Sequence, residues 1–319
     1  MDVLLAALAA LAATGFAVPM CVRVARRWGI VDRPGPLKPH DAPTPYLGGV
    51  GVFVGVAVAA SFGRPIALVP LVAALAIGVS DDRFDLPASV RLAGQLGVGV
   101  IIALTQPVHV AGWLSVPLIL AATVVLINGF NLLDGLDMLA AGVGAIAALG
   151  FAVVLHGAPR VFAASLVGAL VVFLWHNRPP ARIYLGDGGS YLIGAAMMVL
   201  LTDAWGVGVA SPTGVIVLAL LAIPVAEVAC AIVRRRRAGS SLLSGDRAHP
   251  YDLLVERGWS RAAASTAYIA AEAVVVIVVA IVSHPSIRTA VAVDLVVALA
   301  VLGGAALVGG LSKPEGTRP

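Results

Sequence analysis

The chain has 319 residues, of which 60% are hydrophobic and only 12% charged, with a formal net charge of +4 and a mean hydropathy of +1.00. A water-soluble domain of this size could not hide so much apolar surface. The two cysteines, Cys21 and Cys230, lie in or beside apolar segments and make neither a disulfide framework nor a metal site.

Apolar runs recur along the whole length, and about 20 such residues are needed to cross a bilayer. No period-2 alternation marks a barrel. The expected fold is all-α: a polytopic membrane bundle of about eleven transmembrane helices. In chain order they are residues 3–22, 46–62, 65–80, 90–105, 114–129, 138–155, 160–176, 190–205, 212–233, 262–283 and 288–311. Residues 1–311 read as one integral-membrane domain without an internal repeat, and 312–319 (SKPEGTRP) as a short polar tail. The first segment lacks a basic stretch before it and carries Arg23, Arg26 and Arg27 after it. That fits a retained helix better than a cleaved leader.

The connections after the first, third, fifth, seventh and ninth segments, with the tail, hold 18 of the 21 Arg and Lys; the other side holds Arg64, Arg160 and Arg288. Cationic connections stay in the cytoplasm. The N-terminus is therefore expected outside and the C-terminus inside.

The same five connections carry most of the unusual polar groups. In order they are RPGPLKPHDAPTPYLGG (33–49), SDDRFDLP (80–87), NGFNLLDGLD (128–137), HNRPPARIYLGDGGS (176–190) and RRRRAGSSLLSGDRAHPYDLL (234–254). They bring Lys38, Asp81, Asp82, Asp85, Asn128, Asn131, Asp134, Asp137, Asn177, Asp187, Arg247 and His249 to one membrane face. Taken singly, each has an ordinary reading: DDRFD as a solvated helix end, the asparagines as interhelical bonds, GDGGS as a turn, RRRR as a topology anchor. Five connections supplying matching groups to one face make a site. There is no Cys ligand set and no HExxH, so zinc hydrolysis is unsupported. Oxygen donors suit Mg²⁺, which keeps several waters and shares substrate phosphates. Carboxylates facing Arg and Lys suit a metal-bound diphosphate. Glu227 and Glu272, inside apolar spans, are functional candidates by default.

These stretches resemble the polyprenyl-phosphate N-acetylhexosamine-1-phosphate transferases. SDDRFD is similar to that family's DDxxD, NGFNLLDGLD to NxxNxxDGxDG, YLGDGGS to GDxGS, and KPHDAPTPYLGG to its first cytoplasmic loop. The likeness covers essentially the whole chain in the family's order. Two departures stand out. Met138 replaces the final glycine of NxxNxxDGxDG, and the last loop, DRAHPYDLL, has only His249 where lipid I synthases carry a run of histidines. The chain is therefore closer to the WecA/TagO/Rfe-like branch.

The resemblance implies transfer of a sugar 1-phosphate, GlcNAc-1-phosphate first among candidates, from a UDP-N-acetylhexosamine to a polyprenyl phosphate, starting an envelope glycan at the bacterial inner membrane. It implies Mg²⁺, with Mn²⁺ as an allowed substitute, held by Asp187. Asp81, Asp82 and His249 would be catalytic. Asn131, Asp134 and Asp137 would floor the nucleotide-sugar pocket, with Lys38, Asn128, Asn177 and Arg247 as further substrate contacts. Asp81 and Asp82 could act as base, as metal ligands or in orienting the lipid phosphate. A homodimer is compatible with this reading; a nucleic-acid partner is not expected. Competing readings are a lipid I synthase and a secondary transporter, the latter predicting mid-membrane polar groups and related halves.

Overall fold

Hydrocarbon offers a backbone no water, so an apolar chain satisfies its N–H and C=O groups within each segment, as a helix does. The computed structural model of the protein describes residues 2–33, 43–61, 63–106, 112–206, 208–242, 248–282 and 285–312. The helices in chain order are α1 (Val3–Trp28), α2 (Gly48–Ala60), α3 (Leu68–Phe84), α4 (Ala88–Thr105), α5 (Ser115–Leu133), α6 (Leu139–Val154), α7 (Gly157–Asn177), α8 (Gly186–Trp205), α9 (Pro212–Ile216), α10 (Ala222–Ala238), α11 (Pro250–Glu256), α12 (Arg261–Ile281) and α13 (Ile287–Leu307). Among the described residues, eight helical stretches are long and apolar enough to cross a membrane, and α2 and α6 are shorter apolar helices. The protein is all-α and polytopic, as composition requires.

Each apolar run expected in the sequence holds a helix, but several helices outlast the run. α1 continues to Trp28, α3 to Phe84, α5 to Leu133 and α10 to Ala238. Asp81, Asp82 and Asn131 therefore stand on final helical turns, not in loops, and Asn128, already within the expected span, lies about one turn earlier on α5. Two further differences arise at prolines. The expected helix 212–233 is broken: α9 gives way to a tight turn at Ala219–Leu221, and α10 restarts with Pro224 in its first turn, where the missing N–H costs nothing. α11, which hydropathy did not suggest, likewise begins with Pro250 at its first position, with His249 as N-cap.

α8 is the central element. Every residue from Gly188 to Thr202 is buried, with α2, α3, α5 and α6 packed around it. Its entry is crowded: a Cβ on Gly78 of α3 would fall onto the backbone of Asp187 and Gly188. Small residues let membrane helices approach this closely. A short antiparallel pair, β1 (Val31–Asp32) with β2 (Thr44–Pro45), ties the chain after α1 to the start of α2. The Tyr184 N–H donates to the Pro45 carbonyl (2.7 Å), and the Gly48 and Gly49 N–H groups donate to the carbonyls of Tyr184 (3.0 Å) and Leu185 (2.9 Å). The segment before α8 is thus laid alongside β2.

At the far end of α8, Arg64 donates to both the Asp203 carboxylate and the Gln106 side-chain carbonyl. The pair is largely buried, with side chains 12% and 9% exposed. Removing one partner of a buried ion pair costs about 3–5 kcal/mol. Asp203→Ala is expected to lower the thermal unfolding transition in detergent; an unchanged transition would show that the pair contributes no stability.

Candidate active site

Asp82, on the last turn of α3, faces the start of α8. Its carboxylate accepts the N–H groups of Asp187 (2.9 Å) and Gly188 (3.1 Å). Those donors have no partner within their own helix, so Asp82 caps α8 from another helix. Gly186 has φ 73°, and a Cβ there would strike the Asp82 carboxylate and the Tyr46 carbonyl. Asn131, on the last turn of α5, donates to Asp187 Oδ1 (2.5 Å) and to Ser190 Oγ (3.3 Å). Asp187 is thus oriented from α5 while its backbone is held from α3.

A cavity of about 350 Å³ opens beside it. Its walls are Asp32, Tyr46, Asp82, Asp134, Gly135, Leu136, Asp137, Asn177, Tyr184, Gly186, Asp187 and Arg261. The α5–α6 turn supplies Asp134 and Asp137. Asp137 accepts the Ala181 N–H (3.3 Å), and its carbonyl accepts from Ser265 Oγ of α12 (2.8 Å). Asn177 clamps two segments, accepting the Met138 N–H (2.7 Å) and donating to the Ile183 carbonyl (2.9 Å). Met138 itself sits at φ 69°, which explains why a glycine would suit this position.

Burial raises the Asp134 carboxyl well above the usual carboxylate range, and the charges of Asp187, Asp82 and Asp137 push it further. Burial, with Asp137 and Asp32 nearby, likewise raises the Tyr184 phenol, which Arg261 partly offsets. Crowded like charges of this kind are relieved by a bound cation. Among the described residues no three His, Cys, Asp or Glu side chains come close enough to encircle a metal. One or two carboxylates completed by water and phosphate are the habit of Mg²⁺, and Asp187 with Asp134 or Asp137 offers that donor set.

Other residues expected at the site stand behind it. Asp81, next to Asp82, does not line the cavity but lies against the Asp187 carboxyl from behind; it accepts from Tyr191 Oη (2.9 Å), the Leu86 N–H (3.0 Å) and Arg91 (3.4 Å). Asn128 donates to Gln95 Oε1 (2.6 Å) and the Val124 carbonyl (2.8 Å), joining α5 to α4. His249 is buried, and its Nδ1 lies 3.1 Å from Glu227 Oε2 and 3.5 Å from Arg234. Glu227 also accepts from Tyr268 Oη (3.0 Å). Tyr251 stacks on His249 at 5.2 Å and donates to the Leu132 carbonyl (2.7 Å), standing between His249 and the Asp134 turn. Arg234, fully buried, donates to the Gly310 carbonyl at the end of α13 (2.9 Å). Lys38 and Arg247 lie outside the described residues.

Four wall residues were not anticipated: Asp32, Tyr46, Tyr184 and Arg261. The first three reach the cavity through the β1–β2 pairing, which the proline-rich sequence around it conceals. Arg261 left a trace, a cation at the first position of a helix, where the dipole disfavours it.

Residues 65–204 match glycosyl transferase family 4. The decaprenyl-phosphate N-acetylglucosaminephosphotransferase of Mycobacterium tuberculosis is 33% identical over 312 residues, spanning 81% of this chain and 77% of that protein. A probable undecaprenyl-phosphate N-acetylglucosaminyl 1-phosphate transferase of Bacillus subtilis is 30% identical, covering 76% and 74%. The Escherichia coli undecaprenyl-phosphate α-N-acetylglucosaminyl 1-phosphate transferase is 28% identical, covering 75% and 72%.

Proposed function

The chain belongs to glycosyl transferase family 4, and we propose that it transfers N-acetylglucosamine 1-phosphate from UDP-GlcNAc to a polyprenyl phosphate. The products are polyprenyl-diphospho-GlcNAc and UMP, and the reaction opens an envelope glycan at the cytoplasmic face of the bacterial inner membrane. The observation that carries this reading is the convergence of Asp82, Asp134, Asp137 and Asp187, from three separate motifs, on one cavity. The orientation follows from the arginine-rich connections lying on that same side. The names of the relatives give no support to a lipid I synthase.

A phosphate oxygen of the lipid attacks the β-phosphorus of the donor; the new P–O bond forms as the bond to the bridging oxygen breaks, and UMP leaves. A phosphate monoester has a second pKa of about 6, so the nucleophile is largely deprotonated at neutral pH without a base. The protein's work is positioning. Asp187 is the first candidate to hold the metal, with Asp134 or Asp137 beside it. Mg²⁺, when bound, supplies positive charge to the diphosphate oxygens. Asn131 fixes the Asp187 carboxylate, and Asp82 fixes its backbone. Asn177 holds the Asp134–Asp137 turn against the segment that leads into α8. Asp81 braces the end of α3 through Tyr191. His249, shielded by Tyr251 and paired with Glu227, supports the α11 side of the pocket.

Purified protein in nanodiscs, given UDP-GlcNAc and undecaprenyl phosphate, is expected to release UMP and form the diphospholipid in a Mg²⁺-dependent manner. UMP release that ignores the lipid, or none from any UDP-N-acetylhexosamine, would sink the proposal.

A pH effect follows from Asp134. Its carboxyl, pushed up by burial and by the neighbouring aspartates, holds a proton more tightly than a free carboxyl does, and a bound cation must compete with that proton. Apparent Mg²⁺ affinity, read from binding isotherms, is expected to rise with pH, with proton release on binding. Affinity that does not change with pH, and no proton release, would show that Asp134 does not exchange a proton for the metal.

A further inference from the structure

Arg261 contradicts its own surroundings. It is the first residue of α12, after the Ser260 cap, whose Oγ accepts the Ala263 N–H (3.1 Å). A cation there faces the positive end of the helix dipole and loses stability by it. No hydrogen bond or ion pair to another described residue offsets that cost. Instead the side chain lines the cavity, where it is the only cation among the described wall residues, facing five aspartates. It is also held in place. One turn further along α12, Ser265 is bonded to the Asp137 carbonyl, so the helix start is anchored to the turn that carries Asp134 and Asp137. The wall aspartates offset its charge without bonding it, so its N–H groups remain available to a ligand.

We infer that Arg261 is a donor-binding residue, its guanidinium contacting the diphosphate of the nucleotide sugar at the cavity mouth. The inference rests on the reaction proposed above and deepens it. The guanidinium fork matches phosphate oxygens in a way a point charge does not. The diphosphate is the favoured source of those oxygens because Arg261 is exposed on the wall that also holds Tyr184, Asn177 and Asp32, where a soluble donor enters.

The test compares wild type, Arg261→Ala and Arg261→Lys in nanodiscs. Arg261→Ala is expected to raise KM for UDP-GlcNAc at least about tenfold, the loss of one charge-assisted contact, with KM for undecaprenyl phosphate changed less than twofold. Lysine should restore only part of the loss. A second arm needs no turnover: with Mg²⁺ present, UDP alone should raise the thermal transition of wild type and raise that of Arg261→Ala less. Equal KM for the donor together with equal stabilisation by UDP would overturn the role. A rise confined to KM for the lipid would overturn it too, by moving the contact to the lipid phosphate. If wild type releases no UMP yet UDP protects it more than the variant, the reaction fails and the Arg261 contact stands.

Discussion

Asp187→Asn is expected to lower UMP release by at least about 10²–10³-fold, the scale on which removing one well-placed electrostatic group acts. Asparagine keeps the shape and can still accept the Asn131 bond that Asp187 Oδ1 receives. It removes one acidic group from the crowded cluster with Asp81, Asp82 and Asp134. The thermal transition should therefore hold or rise while turnover collapses. UMP release and thermal unfolding in detergent, measured on one preparation, check both halves. Turnover within tenfold of wild type would remove Asp187 from the centre of the site.

The second large effect comes from a residue with no polar atom in its side chain. Gly78→Ala places a methyl group on the backbone of Asp187 and Gly188, and backbone cannot step aside as a flexible side chain can. Overpacking costs about 1–3 kcal/mol, and the relief is to slide α3 from the start of α8. That movement carries Asp82 away from the two N–H groups it caps. A misplacement of about 1 Å costs on the order of 100-fold in rate. This variant is expected to lose both stability and turnover, whereas Asp187→Asn loses turnover alone. Gly97→Ala on α4, with open space where its Cβ would stand, is the control. Equal behaviour of the two glycine variants would show that the α3–α8 contact has slack.

Hydropathy made the spans legible because hydrocarbon enforces helix wherever the apolar run is long enough. The acidic motifs showed which end of the bundle holds the site. Other features depend on rotation and contact, which composition does not encode. Asp81 and Asp82 are adjacent in sequence, but successive helical residues point about 100° apart. Asp82 caps the first turn of α8 and lines the cavity, while Asp81 meets Tyr191 deeper along α8 and Arg91 of α4. His249 stood out as a lone histidine in an expected catalytic loop, yet the intervening Tyr251 ring keeps it from the cavity wall. Tyr184 and Tyr46 reach the wall through backbone pairing with β2, a contact between stretches far apart in the chain.

The grip of Arg234 on Gly310 has a practical consequence. The same guanidinium lies 3.5 Å from His249, and Arg237 donates to the Leu311 carbonyl (2.5 Å). A fusion placed directly at Ser312, in place of the residues that follow it, would pull on these carbonyls and, through them, on the loop that carries His249. Handles for isolating or immobilising the protein belong on the α1 side of the chain or behind a long spacer.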